Sequence, residues 1–216
     1  MIKAILFDMD GVLIDSEALI LKAAIAGLRE FGIETVPEDF TEFVGAGEDR
    51  YIGGPVQKYG GTFIPEMKTR VYEIYAQLLF ATPDAVYDGV LDMLSSVKHS
   101  YFTAVCSAAD FVKVNHNLHA IGVTPEFFGT LITGSDVKRQ KPFPDIFLAA
   151  AERLDIPASE CVVIEDSING IKAAKAAGMT SIAVTTSFSR EVLTEKAAPD
   201  YIIDDIRKLP ELMKAL

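Results

Sequence analysis

Cysteine, basic side chains and long apolar runs are all scarce in this sequence of 216 residues. Its two cysteines, Cys106 and Cys161, lack the spacing of metal ligands, so we expect both to be reduced thiols packed in the core. No stretch approaches the ~20 apolar residues that a membrane-spanning helix needs, and residues 1–7 are too short for a signal peptide. These absences predict a globular protein of the cytoplasm with no membrane partner.

The shortage of basic residues gives the chain a strong negative charge. Only 20 Lys and Arg stand against 31 Asp and Glu, for a net charge of −11. Such a charge repels polyanions, so we expect no nucleic-acid partner. A small anionic ligand stays compatible, because local donors and a bound cation outweigh a distant, salt-screened field. The length suits one large domain, with or without an insertion, and a monomer is the default expectation.

Short apolar runs alternate with helical patterns along most of the chain. Alternation of this kind is typical of βαβ units, whose strands form a parallel sheet. The runs that we interpret as strands are residues 4–7, 102–106, 131–133, 161–164 and 181–184. The sequence therefore predicts an α/β fold, with a Rossmann-like core in which helices flank a mostly parallel sheet.

Residues 16–83 interrupt this alternation. Residues 16–31 and 66–80 have the periodicity of amphipathic helices, whereas residues 45–61 are rich in glycine and contain no run that fits the sheet. We therefore expect an α-helical insertion after the first strand. The remaining residues, 1–15 and 84–216, would form the α/β core domain.

Two pairs of acidic residues each follow a predicted strand directly. Asp8 and Asp10 follow the first strand, and residues two apart on a strand point to the same side. Glu165 and Asp166 follow the fourth strand. Helix capping would explain either pair taken alone. Close carboxylates are usually neutralised by a shared proton or a divalent cation. If the two strands are neighbours, however, four carboxylates meet where open α/β sheets bind ligands, which is difficult to explain without a cation such as Mg²⁺.

Two further features suggest what the cation faces. Ser107 and Ala108 end another predicted strand, and a hydroxyl with backbone N–H groups suits phosphate oxygens. Lys141 lies in the sequence Lys-Pro-Phe-Pro-Asp, where prolines fix the backbone and could aim the ammonium group inward. Alone, Ser107 is more often a helix cap and Lys141 a solvated charge. Together with the carboxylates they describe a phosphoryl-transfer site with a carboxylate nucleophile.

In this order, the four elements closely resemble the haloacid dehalogenase (HAD) superfamily over the whole chain. The resemblance is to subfamily I, and within it to β-phosphoglucomutase and the related sugar-phosphate phosphatases. It rests on residues 7–16, FDMDGVLIDS, on Ser107, on Lys141 in a Lys-Pro-x-Pro-Asp pattern, and on Glu165, Asp166 and Ser167 with Gly170. Together these motifs are specific, although each alone is weak.

The resemblance implies a role for each motif residue. Asp8 would be the nucleophile, and Asp10 would protonate the leaving oxygen and then activate water. Mg²⁺ would be held by Asp8, the carbonyl of Asp10 and Asp166, with Glu165 as a ligand or as an outer partner. The phosphoryl group would be held by Ser107, the amide of Ala108 and Lys141. Residues 16–83 would be a helical cap domain that closes over the site and selects the leaving group.

The implied function is Mg²⁺-dependent hydrolysis of small phosphate monoesters, sugar or polyol phosphates, through an aspartyl-phosphate intermediate. The partner would thus be a small phosphorylated metabolite. The alternative is β-phosphoglucomutase, but those enzymes carry His, Arg and Lys where this chain has Ile20, Glu48 and Ala76. Dehalogenation is a third hypothesis, disfavoured because it requires neither a metal nor Asp10. A catalytically silent interaction domain is a fourth, disfavoured because every expected catalytic residue is present.

Overall fold

The computed structural model describes residues 1–43 and 47–216, and six parallel strands form its single sheet. Residues 44–46, which include part of the glycine-rich region noted above, lie outside the described residues. The strands are β1 Ala4–Phe7, β2 Phe102–Cys106, β3 Thr130–Ile132, β4 Cys161–Glu165, β5 Thr180–Val184 and β6 Tyr201–Ile203. They pair in the order β3-β2-β1-β4-β5-β6, and every pairing is parallel. The predicted α/β fold with a parallel sheet is confirmed.

The central strand β1 is buried on both faces, as its continuous apolar sequence predicts. Ala4 and Leu6 pack on one face of the sheet, and Ile5 and Phe7 pack on the other. Both cysteines are buried and unbridged in the first of these layers. The edge strand β6 was not predicted; it has three residues, of which only Ile203 is buried.

Nine α-helices are described in residues 1–43 and 47–216. They are α1 Glu17–Glu30, α2 Glu48–Lys58, α3 Pro65–Phe80, α4 Val90–Lys98, α5 Phe111–Ile121, α6 Asp145–Leu154, α7 Ile168–Ala176, α8 Arg190–Lys196 and α9 Leu209–Lys214. Short 3-10 turns lie at Pro37–Phe43, Pro83–Ala85, Pro125–Phe127, Gly134–Asp136, Ala158–Glu160 and Ile206–Lys208. None of the helices in these ranges has the length and apolarity needed to cross a bilayer.

Helices α1, α2 and α3 lie between β1 and β2, where the sequence predicts a helical insertion. Helix α1 packs along α3, and Gly27 permits the approach, since a Cβ there would stand 2.9 Å from Val71 Cγ2. Helix α2 forms although it contains Gly53, Gly54 and Pro55. Its glycine content explains why the sequence indicated an insertion there without indicating this helix. We call α1 to α3, with their connections, the helical segment.

The sheet order places three strand ends side by side. Strand β1 lies between β2 and β4, and the chain winds outward from β1 in opposite directions on its two sides. In open α/β sheets, ligands bind at the carboxyl ends of the strands where the winding direction reverses. Because β1, β2 and β4 carry the acidic and hydroxyl residues predicted above, this edge is the candidate site.

Candidate active site

Three buried carboxylates cluster at the carboxyl ends of β1 and β4. Phe7 pairs with Ile164 across the two strands, so Asp8 follows its strand beside Glu165 and Asp166. Carboxylate oxygens of Asp8, Glu165 and Asp166 lie within 4.8 Å of one another. The strand register therefore produces the acidic cluster that the sequence suggested.

Two glycines let the chain close tightly around this cluster. Gly11 has φ +84°, and a Cβ there would lie 2.0 Å from Asp166 Oδ2. At Gly170, a Cβ would lie 1.8 Å from the Glu165 carboxyl carbon. Real Cβ atoms do not approach other atoms so closely, so only glycine permits these carboxylates their present positions.

Lys141 is the cation at the centre of the cluster. Its Nζ donates hydrogen bonds to Asp8 Oδ1, to Glu165 Oε1 at 2.6 Å and to the Cys106 carbonyl at 3.1 Å. The side chain is about nine-tenths buried. The ammonium group thus points inward and touches the ends of all three strands that form the site.

The charges of the cluster are not balanced within the protein. Burial raises the pKa of Asp8 to about 8, with help from Glu165 and Asp10 and against the pull of Lys141. Burial, Glu165 and Asp8 also raise the pKa of Asp166. Burial alone would lower the pKa of Lys141, but Asp8 and Glu165 raise it, so its charge persists. When all three carboxylates are ionised, their charge exceeds that of the single ammonium group by two, which a divalent cation with oxygen ligands would balance.

The hydrogen bonds distinguish Glu165 from its two neighbours. Its Oε2 accepts from the N–H groups of Asp166 at 3.0 Å and Ser167 at 2.9 Å, and from the Ser167 hydroxyl. Since Lys141 occupies Oε1, both oxygens of Glu165 are engaged. Asp166 accepts from Ser187 on Oδ2, and Asp8 accepts on Oδ1. Among the described residues, one oxygen of Asp8 and one of Asp166 remain available to a metal ion.

Asp10 lies beside the cluster and has its own set of donors. Its Oδ1 accepts from the Ser16 hydroxyl, from Asn117 Nδ2 at 3.2 Å and from Lys113 Nζ at 3.1 Å. Tyr75 on α3 donates in turn to Asn117 Oδ1 at 2.5 Å. The sequence reasoning missed Lys113 and Asn117. The signal was two polar residues four apart on the face of α5 that is otherwise apolar and buried.

The predicted phosphate-binding residues lie at the end of β2. Ser107 is buried, and its Oγ accepts the N–H of Ala109 at 3.2 Å. Ala108 lines the cavity described below. The structure thus brings Ser107 and Ala108 next to Lys141, whose Nζ binds the preceding carbonyl, that of Cys106.

A cavity of about 740 Å³ extends from the carboxylates to the helical segment. Its volume is within the range usual for small-molecule sites. The helical segment contributes a largely apolar part of its wall, with Ile20, Phe40 and Tyr51. The carboxylates therefore face a space that can hold a small organic molecule.

Glu48 adds a buried acid to the wall of this cavity. It is the first residue of α2, and Lys113 Nζ lies 3.7 Å from its Oε1. Burial raises the pKa of Glu48, and Lys113 opposes the shift. Its Oε2 is buried without a hydrogen-bond partner in the part of the chain that the structure describes.

The family model described as haloacid dehalogenase-like hydrolase matches residues 2–178. The chain belongs to this family. The superfamily indicated by the motifs is thereby confirmed, and the matched range of this haloacid dehalogenase-like hydrolase includes every predicted site residue. The match also supports a hydrolytic enzyme over a dedicated binding module.

Three proteins illustrate what this haloacid dehalogenase-like hydrolase is similar to. Protein SUPPRESSOR OF QUENCHING 1, chloroplastic, from Arabidopsis thaliana is 41% identical over 95% of the chain, which spans only 20% of that protein. The 6-phosphogluconate phosphatase of Escherichia coli is 26% identical, covering 99% of this chain and 96% of its own. The crystal structure of a CbbY variant from Rhodobacter sphaeroides in complex with xylulose-(1,5)bisphosphate has a TM-score of 0.83 at 26% identity, covering 97% of this chain and 96% of that one.

Proposed function

We propose that this protein is a Mg²⁺-dependent phosphatase that hydrolyses small phosphate monoesters, of the sugar or polyol phosphate class, through an aspartyl-phosphate on Asp8. The observation that carries the proposal is the cluster of three buried carboxylates around Lys141, at the end of a cavity of about 740 Å³. Similarity to a phosphatase over nearly the whole chain supports it.

The donor set fits a magnesium ion. Mg²⁺ prefers hard oxygen ligands, and Asp8 and Asp166 each offer a carboxylate oxygen that no described residue engages. We assign these two carboxylates and the Asp10 carbonyl as ligands, and Glu165 as the outer partner that orients Lys141 and the β4 turn. The bound ion would supply charge neutralisation for the phosphoryl group.

The reaction then divides between two aspartates. An Asp8 oxygen attacks phosphorus, the bond from phosphorus to the leaving oxygen breaks, and the Asp10 carboxyl group gives that oxygen a proton. In the second half, Asp10 takes a proton from water as the water oxygen attacks phosphorus. The bond between phosphorus and Asp8 breaks, and inorganic phosphate leaves. Lys141, the Ser107 hydroxyl and the Ala108 amide hold the phosphoryl oxygens throughout.

The helical segment acts as the cap of this enzyme, and residues 16–83 form the cap domain on a core of residues 1–15 and 84–216. The support is that Ile20, Phe40 and Tyr51 line the part of the cavity that a leaving group would occupy. A leaving group that fills this part of the cavity would displace water, which strengthens the electrostatic interactions at phosphorus.

Release of inorganic phosphate from a panel of phosphorylated metabolites, with and without Mg²⁺, tests the proposal. Asp8→Asn should abolish release, because an amide is a far weaker nucleophile. Asp15→Asn makes the same chemical change at a nearby exposed acid and should retain activity. No release from any substrate by folded, Mg²⁺-loaded protein would refute hydrolysis. Conversion of β-glucose 1-phosphate to glucose 6-phosphate faster than phosphate release would replace it with mutase activity.

A further inference from the structure

The cavity wall carries far more acid than base. Among the described residues, the charged side chains that line it are Asp8, Asp10, Glu17, Glu48, Glu165, Asp166, Lys113 and Lys141. Lys141 is committed to the carboxylate cluster. Lys113 is the other base among them, and it already faces two acids, Asp10 at 3.1 Å and Glu48 at 3.7 Å.

This balance makes the space around Lys113 unsuitable for a second anion. A phosphate or carboxylate on the leaving group would meet Asp10 and Glu48 with a single ammonium group to share among three negative groups. Like charges held close together in a protein cavity repel one another. Ile20 and Phe40 offer no side-chain donors. The hydroxyl groups of Thr41 and Tyr51 carry no positive charge that would balance an anion.

One carboxylate oxygen of Glu48 has no hydrogen-bond donor among the described residues, and a ligand in the cavity could provide one. The side chain is about nine-tenths buried, and its Oε2 accepts no hydrogen bond from any described residue. Buried acceptors are rarely left unsatisfied, because an unpaired one loses its hydration without compensation. The terminal torsion of a Glu side chain is soft, so a small rotation of the carboxylate turns this oxygen to the cavity that Glu48 lines.

We propose, on the basis of the phosphatase function above, that Glu48 is a substrate-binding residue that selects the leaving group. Its free oxygen accepts a hydrogen bond from a hydroxyl or an ammonium group of the leaving group. The pair that it forms with Lys113 excludes leaving groups that carry a second phosphate. The substrates are thus monophosphates of neutral or amino-substituted polyols and sugars.

The test compares kcat/KM for four Mg²⁺-supported reactions. Glucose 6-phosphate offers hydroxyl donors, glucosamine 6-phosphate adds an ammonium group, and fructose 1,6-bisphosphate carries a second phosphate. The fourth probe, p-nitrophenyl phosphate, has no donor on its leaving group and reports the chemistry at Asp8 alone. We expect the wild type to prefer at least one of the two monophosphates over the bisphosphate by about tenfold or more.

The diagnostic variant is Glu48→Gln, with Glu42→Gln as a matched control at an exposed residue of the helical segment. Glu48→Gln should lower kcat/KM for the preferred monophosphate by about tenfold or more, since sites built to hydrogen-bond a substrate depend strongly on that bond. Its turnover of p-nitrophenyl phosphate should fall far less, because that leaving group offers Glu48 no donor, and all activities of Glu42→Gln should stay within about twofold of wild type. A larger loss with glucosamine 6-phosphate than with glucose 6-phosphate identifies ammonium as the donor, and equal losses identify a hydroxyl.

Several results would overturn the assignment. Preference of the wild type for fructose 1,6-bisphosphate, or turnover of p-nitrophenyl phosphate without either sugar monophosphate, would contradict the substrate class. Unchanged selectivity in Glu48→Gln, or an equal loss on all four probes, would reduce Glu48 to a structural residue. Failure of folded wild type to hydrolyse even p-nitrophenyl phosphate would refute the phosphatase proposal, and the assignment of Glu48 with it.

Discussion

Replacing Gly11 by Ala should separate backbone strain from damage to the proposed metal site. Gly11 has φ +84°, and an added Cβ would lie 2.0 Å from Asp166 Oδ2, so the carboxylate must move. Gly178 provides a matched control, since it has φ +72° and an added Cβ there would meet no described atom within 4 Å beyond its chain neighbours. Both substitutions carry the strain of a left-handed backbone, but only Gly11→Ala displaces Asp166.

The expected magnitudes follow from these two contributions. Left-handed strain costs roughly 1–2 kcal/mol for a residue with a Cβ. In a chain of this length, 1 kcal/mol lowers Tm by about 2–4 °C, so Gly178→Ala should melt roughly 2–8 °C below wild type. A metal at about 100 times its Kd stabilises the folded state by about 2.7 kcal/mol. Gly178→Ala should keep that gain, whereas Gly11→Ala should lose most of it together with about 100-fold or more in kcat.

Thermal unfolding in Mg²⁺ and in chelator, combined with phosphate release, measures both effects. Mg²⁺ should raise the Tm of wild type and of Gly178→Ala by the same amount and should raise that of Gly11→Ala far less. If Gly11→Ala keeps the full Mg²⁺ shift and the activity of Gly178→Ala, Asp166 does not hold the ion where we place it.

Three further predictions concern single groups of the site. In chelator, the unfolding free energy of wild type relative to Asp8→Asn should fall as pH rises from about 4 to about 8, because the folded protein binds the Asp8 proton more tightly than the unfolded chain does in that window. The slope is at most about 1.4 kcal/mol per pH unit. A difference that does not change with pH in urea titrations would contradict the raised pKa of Asp8. Lys141→Met should destabilise the fold by about 3–5 kcal/mol by leaving buried carboxylates without their cation, whereas the exposed Lys138→Met should change stability by less than about 0.5 kcal/mol in the same titrations. Tyr75→Phe removes the donor to buried Asn117 and should cost about 1–2 kcal/mol of unfolding free energy; a neutral result would mean that the hydrogen bond contributes nothing.

Sequence reasoning predicted those features of the fold that depend on local pattern. Strand β1 and strand β4 are continuous apolar runs followed by acids, so both the parallel sheet and the meeting of Asp8 with Asp166 were predictable. Helix α2 was not, because glycine and proline inside it suppress the helical signal and only tertiary packing stabilises it. Strand β6 was too short to show a period.

The remainder of the site depends on contacts between distant segments. Lys113 on α5 reaches Asp10 and Glu48 only because α5 packs beside the ends of β1 and α2. A lysine in a mostly apolar helix carries no local sign of its partners. The engagement of both Glu165 oxygens, on which we base its proposed role as an outer partner of a metal, is likewise visible only in the folded backbone.

Strand β1 lies in the middle of the sheet and carries Asp8, whereas Glu48, the residue that we propose selects the leaving group, lies outside the sheet. Hydrogen-bonded on both edges and covered on both faces, β1 can open only when the whole molecule unfolds, so the backbone that carries Asp8 should be among the slowest to exchange its amide protons. Glu48 begins a helix outside the sheet. Substitutions there leave the backbone of β1 in place, so the choice of leaving group can change in evolution while Asp8 keeps its position.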